Sequence, residues 1–235
     1  VTIVQEIKTR LRKLGTKKRA KVSQSFFKTG PGEYGEGDIF LGVTVPELRQ
    51  LAKEYPDLSL AETIQLLQST IHEERLLALL ILVRAYAKAD ARTKKQIYDL
   101  YLENTPYTNN WDLVDASAEY IVGSFLMGKS KKPLYVLAQS KDLWERRIAV
   151  MATFHFIKRN EFKETLKIAR ILLFDKEDLI HKAVGWMLRE VGKRSLQREE
   201  RFLKEHYKEM PRIMLRYAIE RFPESKRQRY LRGEM

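Results

Sequence analysis

Strand-like alternation is almost absent from this chain, and apolar residues recur at helical spacing from end to end. That pattern leaves an all-α fold. Val4, Ile7, Leu11 and Leu14 predict a first helix, stopped by Gly15. A second is expected from about Lys17 to Lys28. The stretch Thr29–Asp38, rich in glycine, then reads as an ordered loop. Phe40-Leu41-Gly42-Val43 leads to Pro46, which suits the first position of a third helix. Beyond it the chain falls into helix pairs, whose more apolar members cover His72–Lys88, Asn110–Met127, Asp142–Lys158, Asp178–Arg194 and Pro211–Phe222. Their interval is roughly 32–38 residues, within the range of helical-repeat solenoids. One such pair cannot bury its apolar face alone, so neighbours stack, share a core and generate a curved surface with a concave side. No Pro, Gly or Ser-rich linker interrupts the 235 residues, so residues 1–235 are expected to form a single solenoid domain.

Charge narrows the partners. Lys and Arg number 44 against 31 Asp and Glu, a net charge of +13, and a field of that sign attracts polyanions. Cations crowd the first 21 residues and recur at Lys226, Arg227, Arg229 and Arg232. Those termini read equally as phosphate grips or as solubilising caps of a solenoid. Without cysteine there is no thiol nucleophile, no disulfide framework and no cysteine-ligated metal. The four histidines form no ligand-spaced pair. No stretch approaches membrane-spanning length and no signal-peptide core is visible, so a metal-free, cofactor-free, cytoplasmic protein without a membrane partner is expected.

Against that basic background one acid stands out. Asp115 lies one turn beyond Trp111, and Asp is a poor residue for a helix interior. Asn109 or Asn110 suits the N-cap, and Asp112 would answer the helix dipole in the first turn. Asp115 is too deep for either task. It shares a face with Trp111 and Ala118, beside the apolar stripe Val114, Ile121 and Phe125. It reads either as a carboxylate presented to a ligand or as half of a buried ion pair, with Arg147 of the next repeat as the natural partner. Arg146 and Arg147 point about 100° apart on a helix, so one can take an acid while the other reaches a bidentate partner.

A second unusual face lies on the Asp178 segment. Ile180, Val184, Met187, Leu188 and Val191 form the stripe to be buried, and Lys182, Trp186, Arg189 and Lys193 form another. An indole among three cations reads either as a ring tucked under lysine stems or as an aromatic against sugar or base with cations on phosphates. Gly185 inside this helix leaves room for another helix or for a ligand backbone. The Gly30–Asp38 loop is phosphate-cradle-like only in its glycines; it lacks a Gly-Lys-Ser/Thr ending, and Glu33, Glu36 and Asp38 would repel phosphate.

Four segments together resemble the AlkD-like DNA alkylation repair family, the HEAT-like-repeat alkylpurine DNA glycosylases. They are Trp111-Asp112-x-Val114-Asp115, Trp144-x-x-Arg147-x-Ala149, Lys182-Ala183-Val184-Gly185-Trp186-x-Leu188-Arg189-Glu190, and Phe40-Leu41-Gly42-Val43 with Pro46. The resemblance spans nearly the whole chain. It implies a right-handed α-solenoid whose concave face binds duplex DNA, and excision of cationic alkylpurines of the 3-methyladenine and 7-methylguanine type without extruding the lesion, unlike most base-acting enzymes. Residue by residue it suggests Asp115 as the catalytic carboxylate, Trp111 and Trp186 against the lesion deoxyribose, and Arg147 on the backbone nearby. Lys182, Arg189 and Lys193 are the further expected DNA contacts. The expected partner is duplex DNA holding alkylated purines, bound by a monomer associated with a prokaryotic nucleoid. The aromatic DNA contact of the preceding helix is matched only loosely, by Phe26 or Phe27. Two other functions fit the composition: a DNA-binding solenoid of this family without catalysis, and a protein-interaction scaffold.

Overall fold

A computed structural model describes residues 2–235, and among them all regular structure is helical apart from one isolated parallel bridge, Ile39 to Ile71. The chain divides into two compact units, Val1–Ile121 and Val122–Met235.

The first unit begins with α1 (Ile3–Leu14), fixed by a capping box in which Thr2 and Gln5 satisfy each other's backbone donors. Its buried residues are Val4, Ile7 and Leu11, as the spacing requires. It ends at Gly15, where a Cβ would come within 2.4 Å of the Leu41 carbonyl oxygen, so the stop is also a point of close chain approach. Helix α2 (Lys17–Phe26) follows and buries none of its residues. A loop of tight turns returns to α3 (Val45–Glu54), which opens with a Thr44–Glu47 capping box and has Pro46 in its first turn. Next come α4 (Leu60–Leu67), α5 (His72–Lys88), α6 (Ala91–Glu103), a 3-10 turn (Thr105–Tyr107) and α7 (Trp111–Ala118). Helix α5 is the core of this unit; it packs on α3, α4 and α7, and residues 72–79 are all buried.

The helix predicted over Asn110–Met127 is present without interruption from Trp111 to Leu126, with a π-helical segment, Glu119–Gly123, joining α7 to the single turn α8 (Ser124–Leu126). The second unit then continues with α9 (Lys132–Ala138), α10 (Leu143–Ala152), α11 (Phe154–Ile157) and α12 (Lys163–Ile171). The helix expected over Asp142–Lys158 is divided at Thr153, which is fully buried and turns its hydroxyl onto the Val150 carbonyl at 2.6 Å. Helices α13 (Asp178–Gly192), α14 (Leu196–His206), α15 (Arg212–Ala218) and α16 (Glu224–Arg232) complete it, with a 3-10 turn, Ile219–Arg221, after α15. Helix α13 is central here, packed on α10, α14 and α15. Its stripe of Ile180, Val184, Met187, Leu188 and Val191 is fully buried. Gly185 has a definite role: a Cβ there would lie 2.4 Å from the Met214 carbonyl oxygen and 2.5 Å from the Tyr217 Cβ, so the position serves helix packing against α15.

Candidate functional site

In the first unit the start of α7 is held from several directions. Asn110 is the N-cap; its side-chain oxygen accepts from the Trp111 N–H at 2.8 Å, and its amide donates to Asp38 at 3.3 Å. The Trp111 ring, half-buried, stacks on Phe27 at 5.2 Å between centroids with 21° between planes, and meets Phe26 edge-on at 6.0 Å. Phe27 stacks in turn on Phe40 at 5.0 Å, and Phe40 on His72 at 4.4 Å. Phe26, by contrast, is 63% exposed.

Behind these rings lies a buried charge cluster. His72 has Asp38 at 2.8 Å on Nδ1 and Asp112 at 2.8 Å on Nε2, and Arg75 pairs with the other oxygen of Asp38. Burial alone would lower the imidazole pKa, but the hydrogen bonds and charges of Asp112 and Asp38 overcome it and raise it to about 9. The site therefore holds an imidazolium. Burial likewise works against Asp38 ionising, and His72 and Arg75 outweigh it, so its pKa is lowered. Asp38 thus ties the loop to α5 and to the start of α7. Asp112 meets the first-turn position expected of it, and its carboxylate is also committed to His72.

Asp115 lies one turn along α7 and is half-buried. Its neighbours Val114 and Ala118 are fully buried, so Ala118 belongs to the packing. On the same helix Ser117 bonds to the Tyr101 hydroxyl at 2.9 Å. Burial first, with the Asp115 charge adding to it, raises the pKa of that phenol.

In the second unit Arg147 is 5% exposed, and one guanidinium nitrogen donates to the Leu179 carbonyl at the start of α13 at 2.5 Å. Arg146 reaches Asp175 at 2.7 Å. Trp186 is half-buried, 6.0 Å from the Phe154 ring, and its indole N–H donates to Glu190 at 3.3 Å. Glu190 also takes Lys193 at 2.5 Å and Arg194 at 3.1 Å. Burial disfavours its charge, yet these cations hold its pKa below the ordinary value. Arg189 pairs with Glu220, while Lys182 is half-exposed. The stripe expected on α13 is present, with two of its three cations engaged by acids of the same unit.

The sequence does not single out Asp38 or His72. They lie 34 residues apart, and Asp112 a further 40. A buried histidine between two acids has no local signature. Among the described residues, no group of His, Asp and Glu could hold a metal ion, and no helix is long and apolar enough to cross a membrane.

The profile of the family described as DNA alkylation repair enzyme matches residues 7–222. No curated protein matches significantly. Solved structures of similar fold include a protein of Enterococcus faecalis described as a predicted DNA alkylation repair enzyme, with a TM-score of 0.68 and 19% identity over 89% of this chain and 97% of that one. AlkD2 from Streptococcus mutans is similar with a TM-score of 0.56 and 18% identity, covering 93% and 99% of the two chains. At these identities the likeness is one of fold, an all-α helical-repeat architecture.

Proposed function

Because this chain belongs to the DNA alkylation repair enzyme family, we propose that it is a monofunctional DNA glycosylase acting on cationic alkylpurines of the 3-methyladenine and 7-methylguanine type in duplex DNA. A purine that already bears positive charge leaves without a general acid. The remaining tasks are to stabilise an oxocarbenium-like sugar and to orient water, and one carboxylate can do both. Asp115 is assigned that role. Trp111 and Trp186 are assigned to the lesion deoxyribose, where an indole face adds cation–π attraction of about 0.5–2 kcal/mol each. Arg147 is assigned to the backbone near the lesion, and Lys182, Arg189 and Lys193 to further DNA contacts whose strength falls with salt.

One observation carries the reading. Trp111 is stacked on Phe27 and fixed at the start of α7 by Asn110, and half-buried Asp115 follows it by one turn on the same short helix. A carboxylate and an indole are thereby held on one rigid element, which suits a site that must meet a sugar in a set geometry. The test is base release from alkylated duplex under single-turnover conditions. Asp115→Asn is expected to slow release by about 10²-fold or more, with its circular dichroism and undamaged-DNA affinity retained. An undiminished rate in the folded variant refutes the role of Asp115. DNA retention by the wild type without any base release refutes the glycosylase reading and leaves a binding protein.

A further inference from the structure

His72 opens α5 and reaches Trp111 by three routes. Its Nε2 lies 2.8 Å from Asp112, the residue after Trp111. Its Nδ1 lies 2.8 Å from one oxygen of Asp38, and that same oxygen accepts from Asn110, the residue before Trp111, at 3.3 Å. Its ring stacks on Phe40 at 4.4 Å and tilts against Phe27 at 5.1 Å, and Phe27 carries the indole. Packing alone does not fix that stack. A cavity of about 530 Å³ is lined by Phe27, Phe40, His72 and Asp112 together with residues of α2, a helix that buries none of its own side chains. Rings that border open space lack packing atoms on that side, so polar contacts must hold them in place.

We propose that His72 is a positioning residue: it fixes the Trp111 indole at the start of α7, and with it the carboxylate of Asp115 one turn on, without touching the bound nucleotide itself. Holding Asp38 and Asp112 at once takes two donors, and only the imidazolium has two; neutral imidazole has one donor and one acceptor. Loss of the proton therefore turns one of the two carboxylates from a partner into a repelling neighbour. Asp112 adjoins Trp111 directly, and Asp38 does so through Asn110, so either loss loosens the indole. The charged groups around the ring are Asp38 from the loop, Asp112 from α7, Arg75 and Glu73 from α5 itself, and Lys18 and Arg19 of α2 on the shared cavity. Helix α3 and its cap add only the uncharged Thr44, Val45 and Leu48 to that cavity. The two carboxylates keep the proton in place up to about pH 9, so the device is assembled at neutral pH and comes apart above that value. This role rests on the assignment of Trp111 and Asp115 to the lesion sugar.

Two measurements on the full chain test this. Fluorotryptophan is incorporated at the three tryptophans, the Trp111 fluorine resonance is identified with Trp111→Phe, and its shift is followed from pH 7 to 10. It is expected to move with a midpoint near 9 in the wild type and to stay still in His72→Gln. Single-turnover base release from alkylated duplex is measured over the same range. At pH 7 His72→Gln is expected to be slower by about 10-fold, short of the roughly 10²-fold that a misplacement of about 1 Å can cost, with its affinity for undamaged duplex retained. That deficit should shrink above the midpoint, where the wild type has lost the same proton. Titration of the substrate is common to both proteins and cancels in the ratio. A Trp111 resonance that ignores pH in the wild type overturns the proposal, and this result needs no variant to fold. A rate ratio that is the same at every pH also overturns it, because the substitution then acts only through general structure. Base release absent from the wild type, with the Trp111 shift present, refutes the glycosylase reading and leaves the link from His72 to Trp111 standing.

Discussion

The imidazolium at His72 makes the stability of this protein depend on pH in a direction that can be derived. In the unfolded chain the imidazole has its ordinary pKa of 6.5; in the folded protein Asp112 and Asp38 raise it, against burial, to about 9. Between those values the folded state holds one proton more than the unfolded state. The stabilisation from the cluster is fully present below pH 6.5 and is lost as pH rises through 9. At about 1.4 kcal/mol for each unit of difference, the loss across the window is about 3 kcal/mol. A typical domain has only about 5–15 kcal/mol in all. The assay is urea denaturation of the wild type and of His72→Gln at intervals from pH 6 to 10. Other groups titrate in the same window, but they do so in both proteins and cancel in the difference. The stability advantage of wild type over His72→Gln should shrink by about 3 kcal/mol from pH 6.5 to 9.5 and change little beyond. A pH-independent difference would show that His72 is neutral in the folded state and that the two carboxylates do not act on it as argued.

Two further outcomes concern the second unit. Adding one methyl at Gly185→Ala meets a backbone oxygen and a Cβ that cannot rotate away; overpacking of about 3 kcal/mol against a helix-propensity gain of about 1 kcal/mol leaves a net loss of about 2 kcal/mol, and stability equal to wild type in a urea titration would contradict the close contact of α13 with α15. Glu199, 2% exposed, has its pKa raised from 4.5 to about 8 by burial and by Glu200, with Arg189 and Lys226 opposing. Its folded state retains the extra proton between those values, so its stabilising share falls as pH rises from 4.5 to 8. Glu199→Gln should gain on wild type across that range by about 5 kcal/mol, and parallel stability curves would exclude the shift.

Helical periodicity made most elements legible in the sequence because it is a local property. The buried stripe of α13, the stop at Gly15 and the entry at Pro46 all depend on residues within two turns of one another. One predicted helix carries a π segment at Glu119–Gly123, and another is interrupted at Thr153. The first lies at a tertiary contact, because a Cβ at Gly123 would run into the Ala152 carbonyl oxygen; the second has a local bond, the buried Thr153 hydroxyl turning back onto Val150 of its own helix. Asp112 illustrates partial legibility. Its place in the first turn follows from spacing, whereas its bond to His72 depends on a residue 40 positions away. The glycine-rich loop is the clearest case. Its glycines announce turns, and Gly32 and Gly37 do adopt left-handed backbone. Nothing in its composition announces that Asp38 would be its buried anchor, or that Phe27 on one flank and Phe40 on the other would stack together beside Trp111. Those contacts join parts of the chain that meet only after folding.

The carboxylate of Glu73 on α5 accepts the successive backbone N–H groups of Leu41, Gly42 and Val43 at 2.7–3.2 Å. A run of peptide amides converging on one point is a receptor for anions in many proteins. Here the receptor carries a permanent internal guest, supplied from 30 residues further along the chain. No phosphate from outside can compete for those donors without first expelling the buried Glu73 side chain. Ionic strength, which governs contacts on the cationic exterior, has little purchase on this bond, so the segment Leu41–Val43 leading into α3 keeps its shape in conditions that strip polyanions from the surface.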